Sequence, residues 1–339
     1  MIWVSDGSST TRRSSEPAHL RSTTLHPLHA VNGRAWAGRV SRPHLQQRLE
    51  LERDHEAQLL GRGRPFFQRE NGRFAHWIMR IALQLCLVYT RGQRNARAIA
   101  IRHHDVRIAG LPRVFDGLTI LHLSDLHLDG YPDITRVLIE RVRTVDYDMA
   151  VVTGDIRSQT YGPYQPAMDV MHHVRSELKG PVYGVLGNHD TILMVPRLEA
   201  MGVRMLLNES IALERGGHTI YLAGIDDAHY YHTDDLDKAY EHIPADAIAI
   251  LLSHSPEIYR QAAQVGFKVM FCGHTHGGQI CLPGGVPLVR NARCPRRFCS
   301  GAWHYQQLQG YTSVGAGVSV VDVRLHCRPE ITLHHLRAA

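Results

Sequence analysis

The chain has 339 residues, of which 44% are hydrophobic, so it can bury a full core and is too long for a minimal domain. Its net charge of +6 comes from the N-terminal third: residues 1–110 hold 18 Arg, no Lys and 8 acidic residues, whereas residues 111–339 carry a net charge of −4. This distribution argues against nucleic-acid binding by the folded part, and it leaves either a basic arm that contacts anionic lipid or a solvated tail. The six cysteines are too sparse for a disulfide scaffold, so we expect free thiols.

Residues 1–65 are rich in Ser, Thr, Arg, His and Gln and have no sustained apolar period. We expect a poorly ordered basic extension with one helical piece near Leu45–Leu60. Arg12 and Arg13 are not followed by an apolar stretch of the length that a signal peptide needs, which argues against export. We therefore expect a cytoplasmic protein, or one attached peripherally to the inner face of the cell membrane.

Residues 66–97 form a second predicted segment, and its one membrane-like stretch is 74–91. Apolar residues such as Trp77 recur there near helical spacing, but Arg80 interrupts them, and a bilayer core needs about 20 mostly apolar residues. An amphipathic helix in the membrane interface is therefore favoured over a spanning helix. A helix packed on the globular domain is an equal alternative. If this segment is only an anchor, deleting residues 1–95 should release the protein from membranes and spare activity on soluble esters.

Residues 98–339 are predicted to form the globular domain. The alternation within 98–115 predicts a first strand, and strands alternate with helices from 118 to about 205. Helical patterns thin out after Gly224, while 315–336 reads as two closing strands separated by a turn at Pro329. The pattern is that of an α/β domain.

Five apolar runs in this domain end in side chains that bind metals. Because residues just past strand ends converge on one crevice in α/β sheets, these side chains can meet. The set comprises two carboxylates, one amide and four imidazoles: Asp125, His127, Asp155, Asn188, His254, His274 and His276. Such donors suit Mn, Fe or Zn, and two ions sharing one carboxylate would use all seven. Two ions roughly 4 Å apart can hold a phosphate and generate hydroxide near neutral pH, as phosphoester hydrolysis requires.

The same blocks resemble, in content and order, the calcineurin-like metallophosphoesterases, and within them the bacterial membrane-associated phosphodiesterase branch. The blocks are Leu-Ser-Asp125-Leu-His127-Leu, Gly154-Asp155, Leu-Gly-Asn188-His189-Asp190, His254 and Gly-His274-Thr-His276-Gly-Gly-Gln. The resemblance covers about residues 100–336. It implies an α/β (α+β) fold of four αββα layers, a double β-sandwich flanked by helices.

The resemblance also implies a role for each site residue. One ion would be held by Asp125, His127 and His276, the other by Asn188, His254 and His274, with Asp155 as the bridge. His189 would lie over the metals and donate a proton to the leaving group or stabilise its charge, and Asp190 would orient it. The alternative for Asp190, slightly favoured, is to cap a helix after the loop. Many relatives carry an acid at Ser158, so we expect a subtle effect on loop geometry there.

Two loops are candidates for substrate contact. The first carries a cluster of arginines that could hold a phosphate or an anionic headgroup: Arg290, Arg293, Arg296 and Arg297. The second carries Tyr230 and Tyr231, which could stack on a base or sugar at the rim. For either loop, a solvated loop without substrate contact is the more common outcome.

We predict a dinuclear metal-dependent phosphoesterase that hydrolyses phosphodiesters with a metal-activated hydroxide. The preference for diesters over monoesters is implied by the resemblance. A lipid-linked or nucleotide-sugar substrate such as UDP-diacylglucosamine is attractive, because the basic arm and amphipathic helix would hold the enzyme where such substrates reside. A catalytically weak metal-binding scaffold is the alternative, and the intact Asn188-His189 pair argues against it. We expect no specific nucleic-acid partner, since the net charge of residues 111–339 is negative.

Overall fold

The computed structural model describes residues 40–61, 73–289 and 291–339, so predictions for 1–39, 62–72 and Arg290 lie outside the described residues. The described part begins with three helices, Arg42–Gly61 (α1), Arg73–Leu85 (α2) and Tyr89–Ala96 (α3). No helix in the described ranges combines the length and the apolar character that crossing a bilayer requires.

Two six-stranded sheets form the centre of the domain. The first contains Ala100–Ile108 (β1), Thr119–Leu123 (β2), Met149–Thr153 (β3), Val182–Val185 (β4), Val203–Met205 (β5) and Glu330–Ala338 (β14), in the order β1-β14-β2-β3-β4-β5. The second contains Glu209–Arg215 (β6), His218–Gly224 (β7), Ala249–Leu252 (β8), Val269–Cys272 (β9), Gly301–Tyr305 (β12) and Leu308–Thr312 (β13), in the order β12-β13-β9-β8-β7-β6. A short hairpin, Cys281–Leu282 (β10) with Val286–Pro287 (β11), lies outside both sheets.

The strands that precede the predicted ligands run parallel within each sheet. Strands β2 to β5 pair in parallel in the first sheet, as β7, β8, β9 and β13 do in the second. Their carboxyl ends therefore meet at one edge of each sheet, where α/β proteins bind ligands.

The two sheets bury a common core between them. The first sheet contributes Ile120, Val151 and Val185, and the second contributes Leu222, Ile250 and Phe271, all without exposed surface. Fully burying one such side chain contributes roughly 1.5–3 kcal/mol, so this interface is a major source of stability.

Helices cover the outer faces of the sandwich. The helices Pro132–Arg143 (α4), Gln165–Glu177 (α5) and Val195–Ala200 (α6) follow strands of the first sheet and bury one stripe each. On the second sheet, Leu236–Tyr240 (α7) and Tyr259–Val265 (α8) pack in a cluster with residues of β7, β8 and β9. The predicted αββα double sandwich is confirmed.

The helical piece predicted near Leu45–Leu60 is helix α1, Arg42–Gly61. It packs on the domain through buried Arg48, so this part of the chain is not a poorly ordered extension. The helix predicted over 74–91 is two helices, because the chain breaks at Leu87, whose φ is +58°. Leu83 and Tyr89 are buried against the domain, as the packing alternative requires.

The segment before β14 is also different from the prediction. We call residues 316–326 the strap: it forms no strand, apart from an isolated bridge between Leu325 and Ile280, and it lies over the site. Gly317 N donates to Asp125 O at 2.9 Å, and Leu325 N donates to Gln279 O at 3.0 Å. Because its backbone bonds to loops, the prediction of two closing strands over 315–336 is wrong, and only β14 forms. The six cysteines are free thiols, as expected.

Candidate metal centre

The strand ends bring the predicted ligands into two buried groups that share one carboxylate. The first group is Asp125, His127, Asp155 and His276, and the second is Asp155, His254 and His274. Within each group the ligand atoms all lie within 4.8 Å of one another. Asn188 joins the second group, since its Oδ1 lies 3.0 Å from Nε2 of His254.

The spacing of these donors fits a cation. The Nε2 atoms of His127 and His276 are 3.1 Å apart, and Oδ1 of Asp125 lies 3.5 Å from Nε2 of His276. In the second group, Oδ2 of Asp155 lies 3.3 Å from Nε2 of His254. Donors bound at about 2.1 Å to one ion are separated by about 3.0–3.4 Å in tetrahedral or octahedral geometry. The donor–donor distances in the two groups are therefore close to those found around a single bound ion.

Three imidazoles are oriented by hydrogen bonds on the nitrogen that faces away from the cluster. Nδ1 of His127 donates to Arg157 O at 3.0 Å, and Nδ1 of His254 donates to Thr153 O at 2.7 Å. Nε2 of His274 donates to Asn291 O at 2.6 Å. The opposite nitrogen of each ring then faces the cluster, where the neutral form of the ring presents a lone pair to a metal.

Burial adjusts the charges of these groups. Burial lowers the pKa of His127 to about 4 and holds the pKa of His274 and His276 well below the usual value. These three rings are therefore neutral near pH 7, which is the form that binds metals. Burial also lowers the pKa of His254, but the carboxylate of Asp155 outweighs burial and raises it to about 10, so a metal ion would have to displace a proton from this ring. Burial raises the pKa of Asp155, but His254 and His189 outweigh it and keep this carboxylate ionised.

Five ligand residues have a left-handed backbone that non-glycine residues rarely adopt. Their φ values are +51° for Asp125, +45° for His127, +55° for Asp155, +70° for His274 and +48° for His276. Such conformations cost of order 1 kcal/mol or more each and persist where the surrounding fold enforces them. Backbone strain concentrated on the ligand residues indicates a functional site. The sequence analysis predicted the ligands but not this strain.

Two glycines allow the loops to approach one another. A Cβ atom on Gly187 would overlap Oδ1 of Asp155, and one on Gly273 would overlap the hydroxyl of Ser124. Both glycines belong to the motif blocks. Their role here is close approach of the backbone to ligands rather than turn conformation.

His189 lies at the cluster, but its partner is not the predicted one. Its Nε2 is 3.9 Å from Oδ2 of Asp155, and its Nδ1 is 3.2 Å from the hydroxyl of Thr160. The carboxylate of Asp190 instead accepts hydrogen bonds from the backbone N–H groups of Ile156, Arg157 and Gly187. Asp190 thus joins two ligand loops, and the prediction that it orients His189 is corrected. The following helical turn is capped by Thr191.

Ser158 braces the loop of the first ligand pair directly. Its hydroxyl donates to His127 O at 3.1 Å, and its backbone N–H donates to Asp129 Oδ1 at 2.7 Å. Many relatives carry an acidic residue at position 158; in this chain the carboxylate at this loop comes from Asp129 instead.

Helix α1 holds the loop that carries Asn188 and His189, a contact that the sequence analysis missed. The guanidinium of Arg48 donates to Asp190 O at 2.9 Å, and Oε1 of Glu52 accepts from Ile192 N at 2.8 Å. The available signal was the apolar spacing of Leu45 and Leu49, which marked a packed helix face around Arg48.

A second missed residue is Arg324 of the strap. Its guanidinium is fully buried, donates to Gly317 O at 2.6 Å and lies 3.2 Å from Nδ1 of His276. It therefore holds the strap against the back of a ligand ring.

The described arginines among the predicted substrate contacts lie on the surface near the cluster. Arg293, Arg296 and Arg297 are exposed, and the last two line a cavity of about 350 Å³ beside Gly277, the residue after His276. Contact of these arginines with a substrate phosphate stays a prediction.

Tyr231 does not lie at the predicted rim. Tyr231 is only 3% exposed and stacks under Arg48, whose guanidinium carbon lies 3.6 Å from its ring centre. Tyr230 is half-buried against His55, with ring centres 4.6 Å apart. Tyr231 is therefore a packing residue of the α1 contact, which corrects its assignment to substrate.

The αββα sandwich and its buried metal-ligand cluster define a metal-dependent phosphoesterase. The sequence model of the calcineurin-like phosphoesterases matches residues 118–278, and the chain belongs to this family. The uncharacterised metallophosphoesterase YkoQ of Bacillus subtilis is 30% identical over 65% of this chain and 83% of its own length. The phosphodiesterase YaeI of Escherichia coli is 28% identical over 64% of this chain and 81% of its own length. The UDP-2,3-diacylglucosamine pyrophosphatase LpxG of Chlamydia trachomatis is 25% identical over 51% of this chain and 68% of its own length.

Proposed function

We propose that the protein hydrolyses phosphodiesters with two divalent metal ions. The observation that carries this proposal is the position of Asp155, whose carboxylate belongs to both ligand groups. A carboxylate shared in this way is suited to bridge two ions. Mn, Fe and Zn all fit the mixed oxygen and imidazole donors.

The seven ligands divide between the ions as the two groups divide in space. Asp125, His127 and His276 would hold one ion, Asn188, His254 and His274 the other, and Asp155 both. Bound here, the ions would neutralise charge on the phosphoryl oxygens and activate the attacking water.

His189 would protonate the leaving oxygen. It is nearly buried, its backbone N–H donates to Oδ1 of Asp155 at 2.9 Å, and its ring reaches the edge of the cluster. Thr160 would hold Nδ1, leaving Nε2 to face the substrate. Arg296 and Arg297, beside the cavity at Gly277, would bind a non-bridging oxygen or a second phosphate.

A lipid-linked nucleotide is the substrate class we favour. Two relatives are named a phosphodiesterase and a UDP-2,3-diacylglucosamine pyrophosphatase. A substrate of the second kind carries two phosphates and acyl chains. The arginine-lined cavity next to the ligand loop suits the phosphates.

The test compares bis(p-nitrophenyl) phosphate with p-nitrophenyl phosphate as substrates for purified protein supplied with Mn. We expect faster turnover of the diester and no turnover above background for Asp155→Asn. Asp146→Asn, at a fully exposed carboxylate, is the matched control and should behave as wild type. Full metal occupancy without turnover of any phosphoester would instead favour the binding scaffold.

A further inference from the structure

The exposed large hydrophobic side chains of the described residues fall into two segments. Those of the first segment, at α2 and the break after it, are Trp77, Ile78, Met79, Leu85 and Leu87. Those of the second, at the β10–β11 hairpin, are Leu282, Val286, Leu288 and Val289. Single exposed apolar residues are ordinary, but grouped ones mark an interaction site.

Both segments rest on the strap. Leu83 and Tyr89 pack in a cluster with Val321, Val323 and Leu325, which leaves the opposite face of α2 exposed. The hairpin joins the same residues, since Ile280 pairs with Leu325 and Cys281 N donates to Leu325 O at 2.8 Å. One structural element therefore supports both apolar segments.

Both segments lie in stretches of sequence that carry arginines and no acidic residue, and the strap beneath them adds only the buried Asp322, which accepts hydrogen bonds from Tyr89 and Gln93. The sequence contains no Asp or Glu from Arg73 to His104 or from Ile258 to Val321. Exposed arginines accompany each segment, namely Arg80, Arg91 and Arg94 near the helices and Arg293, Arg296 and Arg297 after the hairpin. Apolar side chains surrounded by arginines complement a surface that is apolar inside and anionic outside.

We propose that α2 and the β10–β11 hairpin form one docking face for an anionic phospholipid bilayer. A second copy of the chain is a poorer occupant, because it would bring a second set of arginines against the first. Docking also brings the hairpin side of the metal centre to the headgroup layer, since Gly278 packs on Pro287 of β11. The docking itself does not depend on the proposed reaction.

The experiment measures co-sedimentation of the full chain with phosphatidylcholine vesicles that contain or lack phosphatidylglycerol. We expect the anionic lipid to raise the partition coefficient at least tenfold and added salt to reverse the gain. Leu282→Ser with Leu288→Ser, and separately Trp77→Ser with Ile78→Ser, should each lower it by about tenfold or more. Hydrolysis of the soluble diester should remain, which separates this proposal from the proposed function.

Charge is tested with a matched pair of double variants. Arg296→Ser with Arg297→Ser should weaken binding to anionic vesicles by roughly tenfold, at about 1 kcal/mol for each arginine. Arg113→Ser with Arg215→Ser, two exposed arginines outside both segments, should bind as wild type. Equal binding by the hairpin variant and wild type, or equal binding to both vesicles, overturns the proposal. A dimer that the hairpin variant dissociates in analytical ultracentrifugation would also overturn it.

Discussion

Nη1 of Arg48 lies 2.7 Å from Oδ1 of Asp226, and neither side chain has exposed surface. Burial raises the pKa of Asp226, but the positive charge of Arg48 outweighs burial and lowers this pKa to about 2. The pair therefore stays ionised inside the protein. It ties the N-terminal helix α1 to the loop after β7, so α1 belongs to the catalytic domain.

Replacing Arg48 by Met should cost about 3–5 kcal/mol in free energy of unfolding, because the Asp226 carboxylate would remain buried without its cation. The measurement is urea unfolding of metal-loaded protein. Arg42→Met, at the exposed start of the same helix, should change stability by less than about 0.5 kcal/mol. Equal effects of the two substitutions would mean that the buried pair does not stabilise the domain.

Deletion of residues 1–95 should abolish activity on soluble esters, contrary to the expectation from the sequence. The deletion removes Arg48 from Asp226 and Glu52 from the N–H of Ile192, so the loop of Asn188 loses its support. The check is turnover of bis(p-nitrophenyl) phosphate, with circular dichroism to follow folding. A folded, fully active truncated protein would contradict the role assigned to α1.

Replacing His189 by Ala should lower turnover by roughly 10²–10⁴-fold for esters with poor leaving groups, since these need a proton most. Turnover of p-nitrophenyl esters should fall less, because their leaving group needs no proton. Thr160→Val should show the same leaving-group dependence in weaker form, because the hydroxyl orients Nδ1. Asp190→Asn should instead reduce stability and affect all esters alike. Equal loss on every ester for His189→Ala would rule out proton donation.

Stability should fall as the pH drops below about 6.5, partly because of His334. Burial, with His122 and His104 nearby, holds the pKa of His334 well below that of the unfolded chain. The unfolded state then binds a proton that the folded state does not, so stability is complete above pH 6.5 and is lost below it. In chelator, His334→Phe should show a flatter dependence between pH 7 and 5 than wild type. His304→Phe, at an exposed position of β12, should keep the wild-type slope.

The ligand set was predictable because all seven members lie just after the carboxyl ends of five apolar strands, as Asp125 and His127 follow β2 and His254 follows β8. Parallel strands in one sheet bring their ends together without any information on distant contacts. The αββα arrangement follows from the same alternation together with the family resemblance.

The remaining features depend on pairs that are distant in sequence. Arg48 and Asp226 are 178 residues apart, and no local pattern marks them as partners. Tyr231 was assigned to a rim because its stacking under Arg48 was not known. The strap was predicted as a strand, whereas its backbone N–H groups at Ala316 and Gly317 donate to the loop of Asp125.

Metal stoichiometry by plasma mass spectrometry tests the central claim most directly. The account predicts two divalent ions per wild-type chain, one in His127→Ala and fewer than one in Asp155→Asn, because Asp155 belongs to both ligand groups. Asp146→Asn should retain two. A wild-type chain that binds one ion at saturation, or an Asp155→Asn variant that keeps two, would contradict the account.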